Sequence, residues 1–390
     1  MSSFALRPPA DGAQSAHPAT LFDAILLVSF GGPEGMADVM PFLENVTRGR
    51  GIPRERLEEV AHHYELFGGV SPINGQNRAL IAALRDELDA HGIGLPIYFG
   101  NRNWSPFLAD TLAELHGAGV RRALAVFTTG FSCYSGCRQY REDLHVAQQA
   151  VGPDAPEVLK ARMFYNHPGF VETNVDILTR ALAELPQKRR AAAHVAFTAH
   201  SIPLAMAQAS RYEQQLQEAS RLVAEGAGVA AEQWQLVYQS RSGAPHMPWL
   251  EPDICDHLRT LREAGAADVV VVPIGFVSDH MEVLFDLDEE ALQVAAEIGL
   301  GYVRAPSVGV HPRFVAMLRE LVQERLDPSV PKAAVGRFGP SHDTCPVDCC
   351  LPGTGRPSPW EPGAADWQPP AGTGRPGHPG VRPSAERPSG

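Results

Sequence analysis

The stretch Asp268-Val269-Val270-Val271-Val272-Pro273-Ile274 decides the fold of this chain. It is a short apolar run rich in β-branched residues, and Gly275 follows it directly. A continuous apolar run of this length is typical of a strand that is buried on both faces, as strands are in a parallel sheet. We therefore expect it to lie within a sheet whose two faces are covered by helices.

Similar runs recur along the chain and alternate with segments in which apolar residues follow the period of a helix. The apolar runs lie at residues 24–30, 95–100, 123–127, 194–197, 235–238 and 301–304. The helical segments lie at residues 77–91, 143–151, 172–185, 213–225 and 312–325. This alternation predicts a three-layer α/β fold with mostly parallel strands, made of two similar halves that meet near residue 165.

The composition disfavours several classes of protein. Among 390 residues, 33 Lys and Arg stand against 45 Asp and Glu, which gives a net charge of −12. This balance disfavours a protein that binds nucleic acid by neutralising its phosphates. Since no stretch reaches the roughly 18 apolar residues that a spanning helix needs, we expect no integral membrane segment. The length is that of an enzyme with two domains.

Both ends of the chain differ from the rest. Residues 1–20 contain one basic residue, Arg7, and no apolar core, which predicts a disordered leader and not a signal peptide. Residues 351–390 hold ten of the 34 prolines, which predicts a disordered tail. We therefore expect a cytoplasmic protein with reduced thiols. Between the ends we predict an N-terminal half at 21–163, a C-terminal half at 164–330 and a Cys-rich extension at 331–350.

Polar side chains follow the predicted strands, where ligands bind in open parallel sheets. His200 ends the segment Thr198-Ala199-His200, and Glu282 ends the segment Ser278-Asp279-His280-Met281-Glu282. An imidazole and a carboxylate can together bind a divalent metal and leave positions open, or accept protons near neutral pH. The alternative for His200 is a structural histidine that is hydrogen-bonded to the local backbone. No strand is followed by a glycine-rich nucleotide motif.

Acidic residues continue beyond Glu282. Asp286, Glu289 and Glu290 follow it at near-helical spacing, in a segment that we predict to be one helix from 282 to 298. An acidic line would then run away from the site. For Glu289 and Glu290 the simpler interpretation is an exposed helix face.

The cysteines form a second group of candidate ligands. Cys345, Cys349 and Cys350 lie within six residues, and Cys133 and Cys137 lie in the loop after the strand at 123–127. Adjacent cysteines cannot easily both bind one tetrahedral zinc, whereas a [2Fe–2S] cluster offers two iron atoms. Three thiolates of the extension and one of the loop would complete four ligands. Zinc and ordinary thiols remain the alternatives, and Cys255 is interpreted as a core residue.

Four motifs, in this order, resemble those of the ferrochelatase family, and the resemblance covers residues 23–350. The motifs are Ser29-Phe30-Gly31-Gly32-Pro33, Phe67-Gly68-Gly69-Val70-Ser71-Pro72-Ile73, Thr198-Ala199-His200-Ser201-Ile202-Pro203 and Pro273-Ile274-Gly275-Phe276-Val277-Ser278-Asp279-His280-Met281-Glu282. The resemblance implies two Rossmann-like halves around a central cleft, as in class II chelatases. It also implies an enzyme of haem biosynthesis that inserts its substrate Fe²⁺ into a porphyrin and releases two protons.

The resemblance also implies roles for single residues. His200 and Glu282 match the pair that binds the metal or accepts protons, and Asp286 stands where the family usually has Glu. Residues that match porphyrin-contacting positions are Ser71 and Tyr140 and, less closely, Tyr64 and Arg48. Phe30 stands where some relatives have a tyrosine that binds iron.

The segments 134–143 and 100–104 resemble actinobacterial members, which act on coproporphyrin III. We therefore expect coproporphyrin III, with its four propionates, in preference to protoporphyrin IX. Cys137 resembles the actinobacterial cluster ligand, so we favour it over Cys133. Arginines near strand ends that can pair with propionates, or can simply lie at the surface, are Arg48, Arg102, Arg138, Arg141 and Arg241.

Two further functions stay open at this point. One is a porphyrin or haem carrier without activity, which would need no second site residue beside a haem ligand. The other is a chelatase that inserts cobalt or nickel into a more reduced tetrapyrrole, although such relatives tend to lack the Cys-rich end. Neighbouring enzymes of the haem pathway are candidate transient partners.

Overall fold

The computed structural model describes residues 21–49, 51–243, 246–346 and 348–353. The predicted leader at 1–20 and almost all of the predicted tail at 351–390 lie outside these residues. No helix of the described part of the chain is long and apolar enough to cross a bilayer.

Two parallel sheets of four strands form the centre of the molecule. The strands are β1 (Ala24–Ser29), β2 (Ile97–Asn101), β3 (Arg122–Phe127), β4 (Glu157–Lys160), β5 (His194–His200), β6 (Trp234–Gln239), β7 (Asp268–Val272) and β8 (Gly301–Arg304). The strand order is β2-β1-β3-β4 in one sheet and β6-β5-β7-β8 in the other. Every neighbouring pair is parallel, which confirms the predicted α/β fold with two similar halves.

Helices connect the strands and cover the sheets. They are α1 (Met36–Thr47), α2 (Arg54–Glu65), α3 (Ile73–Ala90), α4 (Leu108–Gly117), α5 (Gln139–Val151), α6 (Pro168–Glu184), α7 (Gln187–Arg190), α8 (Leu204–Gln208), α9 (Tyr212–Gly226), α10 (Ile254–Glu263), α11 (Met281–Val283), α12 (Ala291–Ile298) and α13 (Pro312–Leu326). Two wide π-helical turns lie at Tyr134–Arg138 and Leu284–Glu290, and a 3-10 turn lies at Ala231–Gln233.

The main apolar core is shared by the two sheets. All residues of β1 and β7 are buried, as their unbroken apolar sequences predict. One continuous cluster joins Ile25 of the first sheet, Phe197 of the second and Phe314 of α13. α13 packs on both α3 and α6. The two sheets are therefore held together by the helices between them.

Several elements were not predicted from the sequence. β4 carries the short and partly charged sequence Glu157–Lys160, and it forms because its backbone pairs with β3 at the sheet edge. α1 and α2 form a hairpin whose apolar side chains Phe42 and Tyr64 pack on Met281 of the other half. The predicted helix at 282–298 is interrupted, since the π-helical turn Leu284–Glu290 widens its first part.

Candidate active site

The predicted pair comes from two neighbouring strands. β5 and β7 lie side by side, and the sheet grows in one direction from β5 to β6 and in the other from β7 to β8. Such a reversal leaves a crevice beyond the carboxyl ends of the two central strands, where ligands bind in α/β folds. His200 is the last residue of β5, and Glu282 lies in the short helix that follows β7. The fold therefore places both residues at this crevice.

His200 and Glu282 are in direct contact. His200 Nε2 lies 3.5 Å from Glu282 Oε2, and His280 Nδ1 lies 3.9 Å from the same oxygen. The other ring nitrogen of His200, Nδ1, donates to the carbonyl oxygen of Ser201. Since a carbonyl oxygen only accepts, this bond directs Nε2 towards the carboxylate. The side chains of His200 and Glu282 keep 33% and 53% of their exposure, so a ligand can reach both.

Each member of the pair shifts the pKa of the other. Burial by itself would lower the pKa of His200, but the hydrogen bond and the negative charge of Glu282 outweigh it and raise the pKa above 6.5. Burial would raise the pKa of Glu282, but the hydrogen bond and charge of His200 and the charge of His280 lower it. Glu282 is therefore ionised at neutral pH, and His200 can hold or release a proton there.

The turn that carries Glu282 is fixed by contacts from both halves. The backbone N–H of Asp279 donates to Gln76 Oε1 of α3, with an N···O distance of 2.9 Å. Arg304, at the end of β8, binds the carboxylate of Asp279 at 3.2 Å and that of Asp288 at 2.6 Å. Buried side-chain contacts of this kind hold functional groups in a productive geometry. Gln76 thus links the first half directly to the turn that carries Glu282.

Asp286 lies one turn beyond Glu282, within the wide turn Leu284–Glu290. Its Oδ2 accepts hydrogen bonds from Gln239 Nε2 at 3.2 Å and from Ser240 Oγ. Ser240 adopts a left-handed backbone with φ of 61°, which is uncommon outside glycine and concentrates at functional sites. Burial, followed by the charges of Glu282 and Glu290, raises the pKa of Asp286 to about 7.

The remaining acidic residues are exposed. Glu289 and Glu290 lie on the solvent side of the turn, in agreement with the simpler interpretation of an exposed helix face. The charge of Glu290 nevertheless contributes to the raised pKa of Asp286.

The candidate porphyrin contacts are distributed over the first half. Ser71 is buried, and it packs so closely on Gly32 that a Cβ at position 32 would lie 2.7 Å from the Cβ of Ser71. Tyr64 is buried in the cluster that contains the apolar side chains of α1. Burial raises the pKa of its hydroxyl most, and the negative charge of Glu282 raises it further. Arg48 directly follows α1. Two of the expected motifs therefore meet at Gly32 and Ser71, and Tyr64 lies near Glu282.

Tyr140 occupies a different environment from the other candidates. It is buried in the apolar cluster that contains Phe127 and Cys137. The guanidinium of Arg102 lies 4.7 Å from the centre of its ring and is paired with Asp143. Tyr140 therefore contacts Arg102, which is itself almost completely covered.

Arg138 is not an arginine that can bind propionates. Its side chain is 1% exposed, its Nε lies 2.9 Å from Glu142 Oε1, and its Nη1 donates to the carbonyl oxygen of Cys349 at 3.0 Å. The prediction failed because Arg138 lies inside a π-helical turn and points inward, which the sequence pattern does not reveal. Arg102 likewise lies below the surface and not at it.

Four thiols meet at the edge of the first half. Cys137 contacts Cys345 and Cys350, and Cys349 contacts the same two thiols, so that the four form a closed ring. The sulfur atoms of Cys349 and Cys350 are 3.5 Å apart. All six cysteines of the chain are free thiols. We refer to Cys137, Cys345, Cys349 and Cys350 as the thiol ring.

Cys133 lies outside the thiol ring. It precedes the turn Tyr134–Arg138, where its sulfur accepts a hydrogen bond from the backbone N–H of Gly136 at 3.1 Å. This cap keeps Cys133 in the main core, whereas Cys137 emerges on the opposite side of the turn in another cluster. The preference for Cys137 over Cys133 agrees with this arrangement.

The donors and charges around the thiol ring suit a metal cluster. Contact with Cys137 and Cys349 lowers the pKa of the Cys345 thiol, and the positive charges of Lys160 and Arg141 lower it further. The same contacts among the thiols raise the pKa of the other three members of the ring, so one thiolate is favoured at a time. Thiolates are the form in which cysteine binds metals. Four converging sulfur ligands near two cations therefore match the donor set of an iron–sulfur cluster.

Several site residues were missed by the sequence reasoning. Gln76, Gln239, Ser240 and Arg304 act through contacts between elements that are distant in sequence. His280 belongs to the same sequence motif as Glu282, two residues before it, and this position could have marked it as a site residue. His342 also lies at the thiol ring. Its position three residues before Cys345 was the signal that could have identified it.

Comparison with known proteins places the chain in a family. The sequence profile of the ferrochelatases matches residues 22–326. A ferrochelatase of Rhodopirellula baltica is 57% identical over 331 residues, which are 85% of this chain and 93% of that protein. Coproporphyrin III ferrochelatases of Streptomyces coelicolor and Frankia alni are each 55% identical over 87% of this chain, and over 96% and 89% of their own lengths. The chain therefore belongs to the ferrochelatase family, whose enzymes insert iron into a porphyrin in haem biosynthesis.

Proposed function

We propose that this ferrochelatase inserts Fe²⁺ into coproporphyrin III, with His200 and Glu282 as the pair that receives the metal and the pyrrole protons. The contact of 3.5 Å between His200 Nε2 and Glu282 Oε2, at the crevice between β5 and β7, is the observation that carries the assignment of the pair. The choice of porphyrin is supported by the similarity to relatives that are named coproporphyrin III ferrochelatases.

Iron insertion needs a ligand for the entering metal and an acceptor for the protons that leave the ring. A free porphyrin holds two N–H protons in its plane, and insertion of Fe²⁺ releases both. An ionised Glu282 offers an oxygen ligand to the entering metal, and an imidazole is a common ligand of Fe²⁺ and also a base near neutral pH. The raised pKa of His200 favours the transfer of a pyrrole proton to Nε2.

Asp286 is suited to the removal of protons from the pair. Its pKa of about 7 lets it accept and release a proton in the neutral range, and it lies along the same turn as Glu282. The mutual repulsion of the two carboxylates decreases when Asp286 is protonated. We therefore propose Asp286 as the proton acceptor next in line.

We propose Ser71, Tyr64 and Arg48 as contacts of the porphyrin or its propionates. The proximity of Tyr64 to Glu282 supports its assignment. Because Tyr140 is buried against Arg102, we propose that it positions this arginine instead of contacting the ring directly.

We also propose a [2Fe–2S] cluster at the thiol ring. The four sulfur ligands and the nearby cations support this assignment. When bound, the cluster supplies strong bonds that tie the Cys-rich extension to the first half. In its surroundings Arg138 holds the carbonyl oxygen of Cys349, and Lys160 holds that of His342 at 3.3 Å.

The experiment that tests the function compares two substrates under anaerobic conditions. Purified enzyme receives Fe²⁺ with either coproporphyrin III or protoporphyrin IX, and insertion is followed by absorbance. We expect fast turnover of coproporphyrin III only. Preference for protoporphyrin IX would contradict the proposed substrate and leave the iron insertion intact. Tight binding of both porphyrins without insertion would favour the carrier.

A further inference from the structure

We propose that His342 is a fifth ligand-competent residue at the thiol ring and can replace Cys349 on the iron. The proposal rests on the [2Fe–2S] cluster proposed above. His342 lies on the solvent side of the site and adds a fifth potential ligand to the four cysteines.

The distances place His342 within reach of the same metal. His342 Nε2 lies 3.8 Å from Cys349 Sγ. The donor atoms of His342, Cys345 and Cys349 all lie within 4.8 Å of one another. Donor atoms that share a metal ion are separated by such distances, because each bond to the metal is only about 2.0–2.3 Å long.

The backbone around His342 is anchored independently of a metal. Its carbonyl oxygen accepts a hydrogen bond from Lys160 Nζ at 3.3 Å. The next residue, Asp343, pairs with Arg325 at 3.3 Å and also with Lys332. The side chain of His342 is exposed and can turn, while its backbone is held beside the ring.

Cys349 is the ring member that His342 can replace. Cys137 and Cys350 are buried, whereas Cys349 is half-buried and lies on the side of His342. Cys345 contacts two other thiols, as every member of the ring does, but the thiol that His342 Nε2 contacts is Cys349. In a chain without the Cys349 thiolate, the neutral imidazole of His342 would offer the lone pair of Nε2 as the fourth protein donor to a bound cluster.

The replacement has a spectroscopic signature. A neutral imidazole in place of a thiolate makes the cluster less negative by one charge, and this raises its reduction potential. It also removes one sulfur-to-iron charge-transfer contribution from the visible spectrum. The signature can be measured without any assay of iron insertion.

The test compares iron and sulfide content, visible absorption and the EPR spectrum of the dithionite-reduced protein in five variants. We expect Cys349→Ala to keep most of its cluster, with altered g values and a higher potential. The double variant Cys349→Ala with His342→Ala should lose the cluster, and so should Cys345→Ala. His342→Ala alone should resemble the wild type, and Cys255→Ala, which lies outside the ring, is the matched cysteine control.

Two results would overturn the proposal. One is equal loss of the cluster in Cys349→Ala and in the double variant. The other is a Cys349→Ala cluster whose spectrum does not change when His342 is removed as well. If Cys349→Ala does not fold, as judged by circular dichroism, the same comparison is made in Cys349→Ser. Absence of iron and sulfide from the wild type would instead refute the cluster itself, together with its fifth ligand.

Discussion

At the scale of single residues, the candidate active site consists of His200 and Glu282, two groups of opposite charge that are both partly exposed to solvent. His200 is directed by its bond to the Ser201 carbonyl, and Tyr212 donates to the carbonyl oxygen of His200 at 3.1 Å. Glu282 contacts Nε2 of His200 through its carboxylate, and the turn that carries it is held by Gln76 and Arg304. Both members of the pair are thus oriented by neighbouring contacts, and the carboxylate is the more exposed of the two.

His200→Ala should abolish iron insertion and largely preserve porphyrin binding. General-base assistance is worth about 10²–10⁴-fold, and the variant also loses a metal ligand, so we expect a loss of at least about 100-fold. The measurement is anaerobic turnover together with fluorescence titration of the porphyrin. His194→Ala, at the other end of the same strand, is the control. Near-normal turnover of the His200 variant would refute its role.

Asp286→Asn should change the pH dependence of both stability and turnover. The pKa of Asp286 is raised from 3.8 to about 7 in the folded chain. Between these values the unfolded chain loses the proton while the folded chain keeps it, so wild-type stability falls as the pH rises and then levels off above 7. The variant has no carboxyl group at this position and therefore lacks this decrease in stability. Its melting temperature relative to wild type should therefore rise from pH 4 to pH 7.

The same substitution tests the proton-accepting role. Wild-type turnover should increase with pH through the neutral range as His200 and Asp286 both lose their protons, and the increase should be smaller in Asp286→Asn. Glu289→Gln, an exposed neighbour on the same turn, should keep it. An unchanged pH profile in Asp286→Asn would remove Asp286 from the proton path.

At the scale of elements, the π-helical turns place the reactive groups. Turns of this type are rare and occur frequently at functional sites, because the extra residue changes which side chains share a face. The turn Leu284–Glu290 brings Asp286 to Gln239 and Ser240. The turn Tyr134–Arg138 separates Cys133 from Cys137. In both places the wide turn determines which side chains reach the candidate ligand site.

Gln76→Ala should lower kcat with little change in KM for the porphyrin. Gln76 accepts the hydrogen bond from the backbone N–H of Asp279, and its loss lets the turn that carries Glu282 shift. Since misplacement by about 1 Å can cost about 100-fold, we expect a decrease of roughly 10- to 100-fold. Steady-state kinetics measure it, with the exposed Gln293→Ala as control. An increase in KM alone would indicate a binding role instead.

Cys137→Ala should eliminate bound iron and sulfide, whereas Cys133→Ala should retain them. Only Cys137 is in contact with the thiols of the extension, while Cys133 caps a turn inside the core. Iron and sulfide analysis of the two purified variants provides the measurement. Retention by Cys137→Ala and loss by Cys133→Ala would reverse the assignment.

At the scale of the whole molecule, the two sheets are joined through α13 and the segment after β4. Arg162 Nε lies 2.7 Å from Glu324 Oε2, and both side chains are almost completely buried. Arg162 also donates to the carbonyl oxygen of Ala333 at 2.6 Å. On the other side of α13, Arg319 pairs with Glu87 of α3 at 2.8 Å. These polar contacts orient the shared apolar core.

Glu324→Ala should destabilise the protein by about 3–5 kcal/mol, because it leaves the guanidinium of Arg162 buried without a carboxylate. Urea unfolding followed by circular dichroism measures the change. The control is Glu157→Ala, whose exposed pair with Arg122 is worth about 1 kcal/mol or less. Similar effects of the two substitutions would contradict the importance of burial.

The sequence by itself determined the fold class and the positions of most strands. Apolar runs and helical periods are local patterns, and the strand ends near His200 and Glu282 could be located from them alone. That these residues meet followed from a general property of parallel sheets, whose carboxyl ends share one edge. The motif resemblance added the expected roles.

Only the tertiary structure decided the contacts between distant segments. Local patterns do not show that Arg138 points inward, that Gln76 reaches Asp279 or that His342 approaches Cys349. The π-helical turns also escaped prediction, because their sequences keep a nearly helical spacing. The physical reason is the same in each case: a side chain is positioned by the packing of elements far apart in the chain, and its own neighbours in sequence carry no record of that packing.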